Sequence, residues 1–229
     1  MSYIPSSSTI SILNDKIEQR HLLKHPFYRA WSAGELPLEC LRHYSQQYFA
    51  HVRAFPAYLS EMHSRCADLT SRHIIAANLA DEEATSPTHP ELWLDFAVGL
   101  GVERDAVLRA VAGARMHALV EEYGAVVKLD TGLAAAGLYC YEKQIPAVSG
   151  AKIAGLREIY GINDDATLRY FRVHETADVE HAAQWENLIL QQGVDAKQAA
   201  EVADRVLGAL WGALDEVHEQ FSARQATSC

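Results

Sequence analysis

The chain lacks long hydrophobic runs, local cysteine pairs and clustered positive charge, and each absence removes a class of protein. No run of about eighteen apolar residues occurs, so no membrane span is expected. The first residues carry no basic segment followed by an apolar one, so a secretory signal is not expected either. Residues 1–8 read as a short arm. Cys40, Cys66, Cys140 and Cys229 are scattered without a CxxC pair. That speaks against a disulfide framework and for the reduced thiols of a cytoplasmic protein. Positive charge is scarce, with 20 Lys and Arg against 30 Asp and Glu and a formal net charge of −10. Such a surface repels a phosphate backbone, so no nucleic-acid partner is expected. β-type alternation, internal repeats and low-complexity linkers are missing as well.

What remains is 229 residues, 49% of them apolar, with helical periodicity throughout. Ser8 or Thr9 can cap a first helix through Ile12 and Ile17. His25-Pro26-Phe27-Tyr28 opens an aromatic-rich helix that Gly34 stops. A long helix follows from Pro37 to about Cys66, with Tyr44, Tyr48 and His51 on one face and an expected kink at Pro56. Further helices are expected from Thr70 or Ser71, over 91–100, 103–111 and 114–129, and from 132 to 144 with Thr131 as cap. Pro146 restarts a helix that runs to Tyr160, Asp164 or Asp165 caps another to about Gln192, and Asp195 opens the last. The expectation is an all-α protein, residues 1–229 forming a single domain, a bundle of about seven to ten helices.

Within the penultimate helix, His174, Asp178 and His181 stand at i, i+4 and i+7. At about 100° per residue they share a sector of roughly 60°, so two imidazoles and a carboxylate leave the helix side by side. Tyr170 lies one turn earlier on the same stripe. A dimetal site in a bundle needs about six such inward ligands from several helices. Glu82 follows Ile75, Asn78 and Leu79 on one face, while its neighbours Asp81 and Glu83 are expected to turn outward. His89 sits where the chain doubles back, and Glu142 continues the stripe of Ala135, Leu138 and Tyr139. Singly, each has a plainer reading as a core histidine, a cap or a paired carboxylate. Jointly they offer three carboxylates and three imidazoles, a donor set that suits iron or manganese and also admits zinc. The spacing departs from the ferritin-like pair of Glu-x-x-His motifs.

Lys152 is the second anomaly. It shares a stripe with Val148, Gly155, Leu156 and Ile159, where a lysine either pairs with a carboxylate or has a lowered pKa and nucleophilic character. A snorkelling side chain at the end of the bundle is the plainer alternative.

Glu82 with His89, Glu142 within Leu-Tyr-Cys-Tyr-Glu, and His174-x-x-x-Asp178-x-x-His181 together resemble the haem-oxygenase-like dimetal oxidases. Among these the pattern is similar to the chlamydial protein associating with death domains and its bacterial homologues. The resemblance runs from His25-Pro26-Phe27-Tyr28 to the last helix. It implies a haem-oxygenase-like bundle and a self-sacrificing synthase of p-aminobenzoate (4-aminobenzoate) for folate biosynthesis. In such a protein Tyr28 would supply the ring and Lys152 the amine, with Tyr141 and Tyr170 lining the site. Glu82, His89, Glu142, His174, Asp178 and His181 would bind two transition-metal ions, Fe/Fe or Fe/Mn, with dioxygen and a reductant as co-substrates. It also implies a homodimer, with no external small-molecule substrate required.

Relatives of the same fold supply alternatives. Thiaminase-II-like proteins use a cysteine about two turns before the position of Glu142, where this chain has Ala134-Ala135-Ala136. Cys140 faces about 160° from Glu142 and reads as structural. Pyrroloquinoline-quinone synthase is cofactor-free and needs no set of six ligands. Dimetal oxygenases acting on an external fatty acid or amino acid would keep the ligands without needing Tyr28 and Lys152. A death-domain interaction protein is the reading from a different class, and it gives no reason to bury six ligands.

Overall fold

The computed structural model describes the backbone of residues 6–226 and the side chains of residues 8–221. Among the described residues there are eleven α-helices, one 3₁₀ turn and no strand. The first four helices are α1 (Ser6–Gln19), α2 (Pro26–Ala33), α3 (Leu38–Arg65) and α4 (Leu69–Glu83). Then come α5 (His89–Gly99), α6 (Arg104–Leu108), α7 (Ala114–Val126) and α8 (Thr131–Glu142). The chain closes with α9 (Ile145–Glu158), α10 (Asp165–Gln192) and α11 (Ala196–Ala226). One continuous core runs from Ile10 to Phe221. No described helix is long and apolar enough to cross a membrane.

Local chemistry shifts several helix boundaries from their sequence-based expectation. Residues 1–5 of the expected arm lie outside the described residues, as does Cys229, and Ser6 to Ser8 are already helical. Asp68, rather than Thr70 or Ser71, caps α4, its Oδ2 accepting from the Ser71 amide at 2.7 Å. Asp130, rather than Thr131, caps α8 by accepting from the Leu133 amide at 3.0 Å. In both cases the carboxylate one or two residues upstream takes the free amide. α6 is a single short turn, not a helix to Val111, because Val111 is 86% exposed and gains nothing by helical placement. α7 ends at Val126 in tight turns from Ala125 and Val126 to the amides of Lys128 and Leu129. α8 stops at Glu142 because Gln144 leaves the helix. Its side chain accepts from the Leu22 amide at 2.8 Å and donates to the Cys140 carbonyl at 2.6 Å. α3 is one continuous helix through Pro56.

α10 is the central element, packed against α5, α8 and α9, with α1 and α4 alongside. Small residues let these helices approach. A Cβ on Gly155 of α9 would stand 2.3 Å from Trp31 Nε1, so that glycine admits the indole of α2. The α9 stripe differs by one position from expectation: Ile153 is buried, and Ile159 is 40% exposed beside Gly34.

Candidate metal centre and amine pocket

Four helices deliver the six expected ligands to the middle of the bundle. α10 presents His174, Asp178 and His181; α4 carries Glu82 in its last turn, α5 begins with His89, and α8 ends on Glu142. His89 follows a capping box in which Thr88 and Glu91 satisfy each other's backbone amides, and its own side chain is buried. All six residues are between 1% and 6% exposed, a depth at which charge must be compensated. They fall into two groups, Glu82, His89 and His174, and Glu142, Asp178 and His181. The ligand atoms of each group lie within 4.8 Å of one another.

The two α10 histidines are turned opposite ways. His174 donates from Nδ1 to the Tyr170 carbonyl at 2.7 Å, leaving Nε2 towards Glu82 Oε1 at 4.0 Å. His181 points Nδ1 at Asp178 Oδ1 (3.3 Å) and Glu142 Oε2 (3.4 Å), while its Nε2 meets Asp81 Oδ2 at 3.0 Å. With only the protein's own charges, burial and the neighbouring His89 hold His174 well below the usual imidazole range. Burial also disfavours protonation of His181, but contacts to Asp178, Glu142 and Asp81 outweigh it and raise that imidazole to about 11. Burial pushes the Asp178 carboxyl up to about 7, against the pull of the His181 contact.

Even so, the cluster leaves polar atoms without hydrogen-bond partners: both Glu142 oxygens, Asp178 Oδ2 and His89 Nδ1. His89 Nδ1 is 3.0 Å from Glu82 Oε1 but out of hydrogen-bond alignment. Buried carboxylate oxygens of this kind are costly unless a cation meets them. The residues therefore fit two metal ions, one per group, with mixed nitrogen and oxygen ligation.

A second buried site stands beside the first. Lys152, 5% exposed, donates to the Tyr44 hydroxyl at 2.7 Å. Its Nζ lies 4.9 Å from the Tyr44 ring centroid, 5.0 Å from Phe171, and 5.5 Å from both Tyr28 and Trp93. Among the described residues no carboxylate forms an ion pair with it, and burial pulls its pKa down to about 7. The Tyr28 hydroxyl is 3.3 Å from that of Tyr44, and burial pushes the Tyr28 phenol far up. Trp93 is the shared wall: its ring centroid is 5.7 Å from Tyr44 and 4.9 Å from Tyr170, which stacks on His174 at 4.1 Å.

Comparison with known proteins agrees with this arrangement. A family model described as an iron-containing redox enzyme matches residues 42–216. The chain belongs to the haem-oxygenase-like family. It is 40% identical to the 4-aminobenzoate synthase of Chlamydia pneumoniae, over 91% of this chain and 94% of that one. The 4-aminobenzoate synthase of Nitrosomonas europaea is 38% identical over 90% and 89%. In fold, the chain is similar to a solved CADD-like protein of Nostoc punctiforme, with a TM-score of 0.77 at 14% identity over 94% and 97% of the two chains.

Within this haem-oxygenase-like bundle the expected site residues divide between two neighbouring pockets. The ligands meet in one, with Tyr141 and Tyr170 on the wall of its cavity; Tyr28 and Lys152 sit in the other. Tyr48 joins them by donating to the Tyr141 hydroxyl at 3.4 Å while its ring stands 5.2 Å from Tyr44. Sequence reasoning missed Asp81. Its side chain is 58% exposed, as expected of a residue turned outward, yet its carboxylate reaches His181. It also passed over His51, which lines the cavity fully buried, with neither ring nitrogen hydrogen-bonded. Its place on the stripe of Tyr44 and Tyr48 was the available signal.

Proposed function

We propose that the chain is a dioxygen-dependent 4-aminobenzoate synthase that consumes its own tyrosine, with Tyr28 as ring source and Lys152 as amine donor. The observation that carries this reading is the amine pocket: a buried lysine with no carboxylate, hydrogen-bonded to Tyr44 and set against Tyr28, next to a cluster of metal-type ligands. Relatives at 38–40% identity bearing the name 4-aminobenzoate synthase support it.

Glu82, His89 and His174 would hold one ion, and Glu142, Asp178 and His181 the other. When bound, two iron ions or an iron–manganese pair supply the means of reducing dioxygen with electrons from an external reductant. The chain's own residues prepare the reactants. Burial keeps a large neutral fraction of Lys152 near neutral pH, so its nitrogen has a free electron pair to offer carbon. The Tyr44 hydroxyl lies between Lys152 Nζ, which donates to it at 2.7 Å, and the Tyr28 hydroxyl at 3.3 Å, and so holds the amine beside the Tyr28 ring. The aromatic walls formed by Phe171 and Trp93 exclude water, which would otherwise compete with the amine. A cytoplasmic homodimer without a nucleic-acid partner belongs to the same reading, and sedimentation checks the assembly.

The test is to grow the protein on ring-labelled tyrosine, load iron and manganese, and add reductant and dioxygen. Labelled 4-aminobenzoate, at no more than one equivalent per chain, is the expected product. Unlabelled product, or none, ends the self-sacrificing reading. Tyr28→Phe and Lys152→Arg should each abolish product while metal content is retained. An active Tyr28→Phe protein would move the ring source to another tyrosine.

One observation favours a second reading, a dimetal oxygenase acting on an external fatty acid or amino acid. His51 lines the cavity beside Val52 and Phe55, and among the described residues neither of its ring nitrogens has a hydrogen-bond partner. Repeated turnover of an added fatty acid or amino acid by the Tyr28→Phe protein would establish that reading.

A further inference from the structure

Every ligating histidine has two ring nitrogens, and whatever holds one decides how the other faces the metal. His174 and His181 solve this in contrasting ways. For His174 a buried backbone carbonyl, that of Tyr170, accepts the Nδ1 proton at 2.7 Å and commits Nε2 to the Glu82 group. For His181 the nitrogen facing Glu142 and Asp178 is Nδ1, and three of the four oxygens of those carboxylates, both on Glu142 and Oδ2 of Asp178, have no hydrogen-bond partner. The opposite nitrogen, Nε2, meets Asp81 Oδ2 at 3.0 Å.

Asp81 directly precedes Glu82 on α4. Adjacent residues diverge by about 100° around a helix, so one turn of α4 serves both groups. Glu82 points into the first, and Asp81 reaches across to α10 and closes the second from behind. A carboxylate that accepts Nε2–H fixes the imidazole as the Nδ1-ligating tautomer and makes that nitrogen a stronger donor than a carbonyl would.

We propose that Asp81 is a positioning residue for the Glu142–Asp178–His181 position alone, setting the tautomer and orientation of His181. The inference rests on the dimetal reading of the site, and it makes the two metal positions unequal. The Glu82–His89–His174 position depends only on buried groups. The other depends on a carboxylate at the protein surface.

The experiment is titration of the full-length protein with Mn(II), counting free ion by its electron paramagnetic resonance signal. Wild type should take up two equivalents. In Asp81→Ala one equivalent should weaken by about 10–100-fold and the other remain unchanged. Asp81→Asn still accepts Nε2–H through its side-chain carbonyl and should recover part of that loss. Glu83→Ala, an exposed neighbour on the same turn, should match wild type, and circular dichroism checks that each variant is folded. Unchanged affinities in Asp81→Ala, or equal weakening of both equivalents, would overturn the inference and leave the dimetal reading standing. A wild-type chain that binds neither manganese nor iron would overturn both.

Discussion

The metal cluster and the amine pocket are neighbours in one core, and they handle buried charge in opposite ways. Around Glu142 and Asp178, carboxylate oxygens outnumber the groups that could satisfy them, so the protein is short of positive charge there. Around Lys152 the walls are rings, and among the described residues the one polar contact is a phenol, so any positive charge is short of an anion. The first region is built to receive cations. The second is built to keep an amine from being one. The contrast teaches that burial alone does not assign a role; what burial leaves uncompensated does.

The largest effect expected from breaking this contrast comes from Lys152→Met, which should abolish product and alter the pH dependence of folding. Lys152 has a pKa near 7 in the folded chain, against 10.5 ordinarily. Between those values the unfolded chain holds a proton that the folded one does not. The contribution of Lys152 to wild-type stability should therefore rise with pH across this window, by up to about 1.4 kcal/mol per pH unit. Below pH 7 both states are protonated and the gain is gone. Denaturant unfolding of both proteins from pH 7 to 10 should show wild type gaining on Lys152→Met with rising pH, since groups common to both, such as His181, cancel in the difference; parallel curves would mean Lys152 is paired or solvated.

Metal removal probes the other region. Each ion bound at about 100 times its Kd stabilises the folded chain by about 2.7 kcal/mol. For a chain of this size that is roughly 5–10 °C in Tm per position. Calorimetry with and without chelator should show the drop in wild type and equally in Lys152→Met. Loss of the metal response in the lysine variant would merge the two regions into one.

Tyr44→Phe should have a smaller effect. It removes the only hydrogen bond to Lys152 Nζ among the described residues and the contact to the Tyr28 hydroxyl, for about 1–3 kcal/mol in chemical denaturation. Product formation should fall, with metal stoichiometry intact. Thr88→Ala should cost about 1 kcal/mol by removing the α5 cap in front of His89. A small Tm change with both metal equivalents retained is expected; loss of an equivalent would show that the cap positions His89.

Much of the candidate metal cluster was legible in the sequence because its residues obey helical periodicity. Glu82 lies on the stripe of Ile75 and Asn78, and the α10 residues repeat at four and three, so each could be placed on a buried face from its own helix. Lys152 was legible as an intruder on an apolar stripe. Its lack of a carboxylate was not, because Tyr28, Tyr44, Trp93 and Phe171 come from α2, α3, α5 and α10 and converge only on packing. The contact of Asp81 was missed for the same reason: on α4 alone it points to solvent, as expected, and only the approach of α10 gives it His181. The caps at Asp68 and Asp130 were displaced because several polar residues near each start could serve, and backbone geometry selects one.

By itself, then, the sequence determined an all-α chain, the six inward-facing candidate ligands and the displaced lysine, since a helix's period assigns each side chain to a face without reference to any partner. Tertiary structure alone decided how the six divide into two groups and which nitrogen each α10 histidine presents. It also decided that the amine stands among rings rather than carboxylates. Those outcomes depend on distances between helices far apart in the chain, and no local periodicity contains them.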